Sequence, residues 1–212
     1  QHHAAIANFQ ETEGNKVIMA YTTQNADVPT EFFEEVPEEL FNFMLDSQQA
    51  NDEISLEKKL VESHTYPIKK LLAPLPDMGY INMLEDNDGV FRHYQIVSNV
   101  DMLFFPSIGL KAYESFVQKS HKINVNNHGT ATMAFEGQDI FINNRGETKV
   151  RWLGTDQNFA EVKLHEVVNG DPNDEKLKKF FHNKIAFVGS SATGAHDLRN
   201  TPIDPTLPGV YA

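Results

Sequence analysis

An unbroken apolar run near the end of the chain, Ile185-Ala186-Phe187-Val188, passes directly into Gly189-Ser190-Ser191-Ala192-Thr193-Gly194. Apolar residues without alternation predict a strand buried on both faces, as in the middle of an α/β sheet. The glycine and hydroxyls that follow place N–H groups and side-chain donors at the carboxyl edge of that sheet, where open α/β folds take their ligands. Two readings of the loop compete. In one it cradles an anion, with Ser190, Ser191 and Thr193 as donors and Arg199 as counter-charge. In the other the glycines supply positive φ for a tight crossover and the hydroxyls cap a helix. The spacing from Gly189 to Gly194 imitates a phosphate-binding loop, but no Lys-Ser/Thr pair follows Gly194. Nucleotide hydrolysis therefore lacks its phosphate lysine and its magnesium hydroxyl. Any ligand role here is binding, not catalysis.

The chain of 212 residues, 40% hydrophobic and 23% charged, fits one globular domain with enough length to bury a core. A formal charge of −12 opposes both nucleic acid and an anionic membrane as partners. No run approaches the roughly 18 apolar residues of a membrane span. Cysteine is absent, which removes disulfides, zinc-thiolate sites and cysteine nucleophiles. The stretch from Gln1 to Phe9 reads as the tail of an amphipathic helix, with Ala5, Ile6 and Phe9 on one side. The chain stops at Pro208-Gly209-Val210-Tyr211-Ala212 without a cap or stop signal. It is expected to be a piece of a longer protein, incomplete at both ends, with the first strand of a βαβ unit missing before residue 1.

Lys16 to Tyr21, entered through Gly14, reads as a second buried strand. Residues 24–65 are acidic and rich in phenylalanine, and read as an insertion. Pro37 starts a helix there, with Leu40 and Met44, and Phe41 and Leu45, paired at i,i+4. That segment is either a lid or dimer surface, or a helix laying its apolar face on the core. Tyr66 to Leu72 predicts a short helix halted by Pro74 and Pro76. Gly79 to Leu84 and Val90 to Val97 flank Glu85-Asp86-Asn87-Asp88-Gly89, which predicts a β-hairpin. Pro106-Ser107-Ile108 opens a helix with Ile108, Ala112 and Phe116 on its apolar face, joined by Leu110, Tyr113 and Val117. Asp139 to Asn143 alternates as a strand, and Asn144-Arg145-Gly146 turns the chain. Arg151 to Gly154 predicts a further short strand. Phe159 to Val168 reads as a connection with one helical turn, closed by Asn169-Gly170. Asp174 to Phe181 predicts a short helix, acidic at its start and basic at its end as the helix dipole prefers.

Nine histidines invite a metal or acid–base reading. They are scattered, without i,i+4 spacing or a neighbouring cysteine, so no metal site is expected. Asp86 and Asp88 resemble the start of a calcium loop, but Gln95 stands where the closing glutamate belongs. Only His196 beside Asp197 sits at a plausible pocket edge, and neither Ser190 nor Ser191 lies in the Gly-x-Ser-x-Gly elbow that exposes a nucleophile. Asp197 is expected to accept N–H bonds within its own turn.

The motifs come in a recognisable order: Gly79-Tyr80-Ile81-Asn82, Asp86-Asn87-Asp88-Gly89-Val90-Phe91-Arg92, Pro106-Ser107-Ile108-Gly109-Leu110 and Ile142-Asn143-Asn144-Arg145-Gly146. Phe159, Val167-Val168-Asn169-Gly170, Lys184 to Gly189, Ser191-Ala192, Asp197, Thr201-Pro202 and Leu207-Pro208-Gly209-Val210 complete it. In this the chain resembles the CHASE domain of the second type, over residues 66–212 in its motifs and over residues 1–21 in its pattern. The resemblance implies an α/β sensory domain on the periplasmic or extracellular side of the bacterial plasma membrane. Transmembrane helices and an output module, such as an adenylate cyclase or a histidine kinase, would follow. Gln95 stands where the family pattern usually has proline, and the insertion at 24–65 is not part of it.

The fold expected is α/β: a mostly parallel central sheet with helices on both faces plus a β-hairpin, forming one sensory domain over 1–212. Its function would be to bind a small molecule or a protein and pass a shape change to a membrane-linked enzyme. No cofactor is expected, no catalysis within this chain, and the parent receptor would be a homodimer. The ligand-binding residues expected are Ser190, Ser191, Thr193, Asp197 and Arg199 from the loop region and Arg92 from the hairpin. Two rivals stand beside this reading. One is a secreted hydrolase using Ser191 or His196 with Asp197, and the other is a dimerisation module with no ligand.

Overall fold

The computed structural model describes residues 16–25, 47–48, 61–65, 67, 77–100, 103–125, 131–154, 158–171, 173–191 and 197–211. The expected helices at 1–9, 37–45 and 66–72 lie outside the described residues. Packing divides the chain into two compact units. The first holds Gln1–Leu84 with Tyr94–Thr148, and the second holds Glu85–His93 with Lys149–Ala212.

The first unit is built from β1 (Ile18–Asn25), β2 (Ser47–Gln48), β3 (Val61–Thr65), β4 (Asp77–Tyr80) and the last two residues of β5 (His93–Gln95). After these come β6 (Val97–Val100), β7 (Leu103–Pro106), helix α1 (Ile108–Val117), β8 (Ile123–Val125), β9 (Ala131–Phe135), β10 (Gln138–Ile142) and the first two residues of β11 (Glu147–Lys149). β1 pairs antiparallel with β3 and parallel with β4, with Tyr21 opposite Tyr80. A second sheet runs β10-β9-β8-β2, antiparallel except between β2 and β8. β6 and β7 form a separate antiparallel ribbon.

The core gathers Ile96, Val97, Phe104, Leu110, Ile123, Ala131, Met133 and Ile142. Each fully buried large aliphatic side chain among them is worth about 1.5–3 kcal/mol of burial. The alternation expected from 139 to 143 is present: Ile142 is buried and Phe141 faces out. α1 starts where Ser107, itself buried, accepts the Leu110 N–H at 3.2 Å. Its apolar face is corrected by the structure. Leu110 and Ala112 are buried, but Phe116 is exposed and Glu114 is buried in its stead. The Glu114 carboxylate earns that position by accepting the His121 backbone N–H at 2.6 Å, with Lys111 Nζ at 3.8 Å.

The turn at 144–146 is tightly made. Asn143 Oδ1 accepts the N–H groups of Arg145 and Glu147, each at 2.9 Å, and Asn143 donates to the buried Glu147 carboxylate at 3.0 Å. Gly146 has φ +76°, and its carbonyl accepts the N–H groups of both Ile96 and Val97. A Cβ at this position would overlap the Val97 carbonyl oxygen, so only glycine fits.

The second unit contains α2 (Leu164–Asn169), α3 (Glu175–Phe181), the antiparallel pair β12 (Leu198–Arg199) and β13 (Leu207–Pro208), and a 3₁₀ turn at Gly209–Tyr211. Asp174 caps α3 by accepting the Lys176 N–H at 2.8 Å, as its acidic start predicts. Among the described residues of this unit only Phe91, Thr201 and Leu207 are buried. Polar ties do much of the holding. The Thr201 hydroxyl donates to the Asp204 carbonyl at 2.7 Å and accepts the Asp204 N–H at 3.0 Å.

Four expectations change here. The described residues form small sheets of mixed direction, not one mostly parallel central sheet, and α2 and α3 bury none of their residues against a sheet face. Residues 79–84 and 90–97 do not make a hairpin ladder. β4 ends at Tyr80 and spends its backbone groups on β1, so only the local turn closes, through Asp86 N–H to Val90 O at 3.0 Å. Finally, Ile185 to Val188 is neither strand nor buried: Phe187 is 55% and Val188 81% exposed, and Arg151 to Gly154 likewise forms no strand. Apolar character equips a segment for burial, but a strand also needs a neighbour for its N–H and C=O groups. No described strand pairs with 185–188.

Candidate functional site

The expected ligand-binding residues that are described all lie in the second unit, around two short segments, 85–93 and 189–200. The first is a charged turn. Gly89, at φ +76°, donates to the Asp86 carbonyl at 2.8 Å, and Asp88 Oδ1 accepts the Val90 N–H at 3.2 Å. That turn sets Asp88 and Arg92 side by side. The guanidinium meets Asp88 as a fork, Nη1 to Oδ1 and Nη2 to Oδ2, both at 2.8 Å. Nη1 also reaches Asp86 Oδ2 at 3.0 Å, while His93 Nδ1 lies 2.9 Å from Asp86 Oδ1.

These bonds displace the carboxyl equilibria. The hydrogen bond from His93, then that from Arg92, holds Asp86 below the usual carboxylate range. The Arg92 hydrogen bonds hold Asp88 below it as well, and the two carboxylates push the guanidinium upward. The pair that looked like the start of a calcium loop is therefore directed at the chain's own cation.

Arg199 and Asn200 dock on this turn. Phe91 N–H donates to the Asn200 carbonyl at 2.8 Å, and the Asn200 side-chain amide donates to the Gly89 carbonyl at 2.9 Å. Arg199 stands over the Phe91 ring, 5.6 Å from its centre, and its Nη2 meets Asp197 Oδ1 at 2.7 Å. Asp197 also accepts, at its backbone carbonyl, the Gly209 N–H at 2.7 Å. That N–H comes from twelve residues further on and not from the expected turn around Asp197 itself, and the Asp197 carboxylate serves Arg199.

Of the expected residues, the structure brings together Asp197, Arg199 and the turn that carries Arg92. Ser190 and Ser191 are exposed. Thr193 and His196 lie outside the described residues. Sequence reasoning missed Asn200, which ties the two segments from 111 positions away. It carried no local signal, because an exposed asparagine after a short strand is ordinary. The Asp88–Arg92 pair was missed as well, because a four-residue spacing brings side chains together on a helix, and here a turn does it.

A guanidinium fork suits carboxylate and phosphate oxygens. Both forks here already hold a carboxylate of the chain itself. An anion that reached either guanidinium would have to share or displace Asp88 or Asp197. Among the described residues no group of three or more His, Asp or Glu is placed to hold a metal ion. No described helix is long and apolar enough to cross a membrane.

One family model, described as the CHASE2 domain, matches residues 2–212. No curated protein and no solved structure matches the chain.

Proposed function

The chain belongs to the CHASE2 domain family, whose members are extracytoplasmic sensory domains, and from that membership we propose that it is the ligand-sensing part of a bacterial transmembrane receptor. It lies on the periplasmic or extracellular side of the plasma membrane, takes a small molecule or a protein, and regulates a cytoplasmic output enzyme such as an adenylate cyclase or a histidine kinase. The receptor is a homodimer. Sensing needs only two conformations a few kcal/mol apart, one of which the ligand prefers. The edge formed by Arg92, Ser190, Ser191, Asp197 and Arg199 is where the ligand acts, because its cations hold internal carboxylates that an anionic group can replace.

The observation that carries the reading is the family match over nearly the whole chain. The chain itself has no cysteine, so a cysteine placed in it, in a parent protein whose other cysteines are replaced, reports on this domain. In bacteria carrying the parent protein, S191C should react with a membrane-impermeant maleimide in intact cells whose outer barrier has been permeabilised. Labelling only after lysis would overturn the placement. In the same receptor, R92A and R199A should alter output activity. Output equal to that of the unsubstituted protein in both would remove the edge from the signalling path.

A further inference from the structure

Gly189 and Asp197 are each held by one of two consecutive residues of the chain that follows, Val210 and Gly209. Gly189 lies against Val210, so closely that a Cβ built on Gly189 would stand 2.7 Å from Val210 Cγ2 and 2.8 Å from its Cβ. Gly209 donates its N–H to the Asp197 carbonyl at 2.7 Å, and a Cβ on Gly209 would stand 2.5 Å from Asp197 Oδ2. Beyond that point Leu198 pairs with Pro208 and Arg199 with Leu207. The next residue, Tyr211, stacks on Phe159 with ring centres 5.7 Å apart and donates its hydroxyl to Glu161.

We propose that Gly189–Val210 and Asp197–Gly209 form a two-point latch through which the ligand edge and the 207–211 segment move together. The proposal rests on the sensor reading above and names the route by which that edge is regulated. Both latch glycines are contact surfaces. The absence of a side chain is what lets Val210 and the Asp197 carboxylate sit directly on the backbone. A displacement of Asp197, as when its partner Arg199 turns to an incoming anion, has to move Gly209, and through Val210 it reaches Gly189. Coupling of this kind requires a contiguous element with discrete arrangements, and a short ladder with close-packed glycines on each side supplies one.

The test uses amide chemical shifts of the full chain. G189A should displace the signals of Gly209 to Tyr211 and of Leu198 and Arg199. G209A should displace those of Gly189 to Ser191, which it does not touch. The double variant G189A/V210G, which removes the atoms that the new methyl meets, should return the Leu198 and Arg199 signals to their original positions. Should G209A fail to fold, D197N perturbs the same point from the ligand side while keeping the side-chain shape, and should displace Gly189 to Ser191 likewise. The proposal is overturned if each substitution moves only its own contact partners and neighbours. The two readings fail separately: cysteine labelling of S191C reports membrane side alone and does not depend on the latch.

Discussion

Two glycines of the first unit, alike in backbone and unlike in surroundings, make a quantitative test of the packing there. Gly137 follows Glu136 in the two-residue connection between β9 and β10, with φ values of +85° and +47°, the geometry of a hairpin turn that matches strand twist. Gly146 has φ +76°. An alanine at either position pays about 1–2 kcal/mol for the left-handed conformation. At Gly137 nothing lies within 4 Å of the new methyl, so that is the whole expected cost. At Gly146 the methyl runs into the Val97 carbonyl, and the glycine's own carbonyl holds the Ile96 and Val97 N–H groups at 2.9 and 3.2 Å. The turn cannot back away without stretching those bonds. Overpacking of that kind adds about 1–3 kcal/mol, which brings G146A to about 2–5 kcal/mol. For a chain of this size that is a fall in Tm of roughly 4–20 °C, against a few degrees for G137A. Urea unfolding followed by far-ultraviolet circular dichroism gives both values. Equal losses for the two variants would refute the close approach of Gly146 to β6.

Other outcomes follow from the same contacts. Asn143→Ala removes the acceptor for two backbone N–H groups and should cost about 1–3 kcal/mol in the same assay; a loss near zero would mean water replaces the side chain. Asp86 and Asp88 are held below the ordinary carboxylate range in the folded chain. Their contribution to stability is therefore in place above that range and fades as pH falls below about 4. R92A should flatten this acid dependence, measured as the slope of Tm against pH, and an unchanged slope would show that the fork carries none of it. Val188→Ser should change stability by no more than about 0.5 kcal/mol, as for other exposed positions. A loss several times larger would restore a buried strand there.

What could be read from the sequence is what is settled within a few residues. Ser107 before an apolar helix, Asp174 before α3, the alternation that buries Ile142 and turns out Phe141, and Asn144-Arg145-Gly146 all appear as expected, because a cap, a pleat or a tight turn is decided by its immediate neighbours. The order of motifs was enough to indicate the family. Around the candidate site, Arg92 and the Asp86–Gly89 turn were singled out, but not the fork between Asp88 and Arg92. Tertiary structure alone decided the rest. β4 chose β1 over the nearby residues past the turn, Glu114 took the inward place that periodicity assigned to Phe116, and Asn200 and Phe91 joined segments far apart in the chain. Ile185 to Val188 has the composition of a core strand and stays exposed. Hydrophobicity measures how much a segment gains if it is covered, whereas the surface that covers it, or the partner that takes its hydrogen bonds, comes from residues elsewhere in the chain.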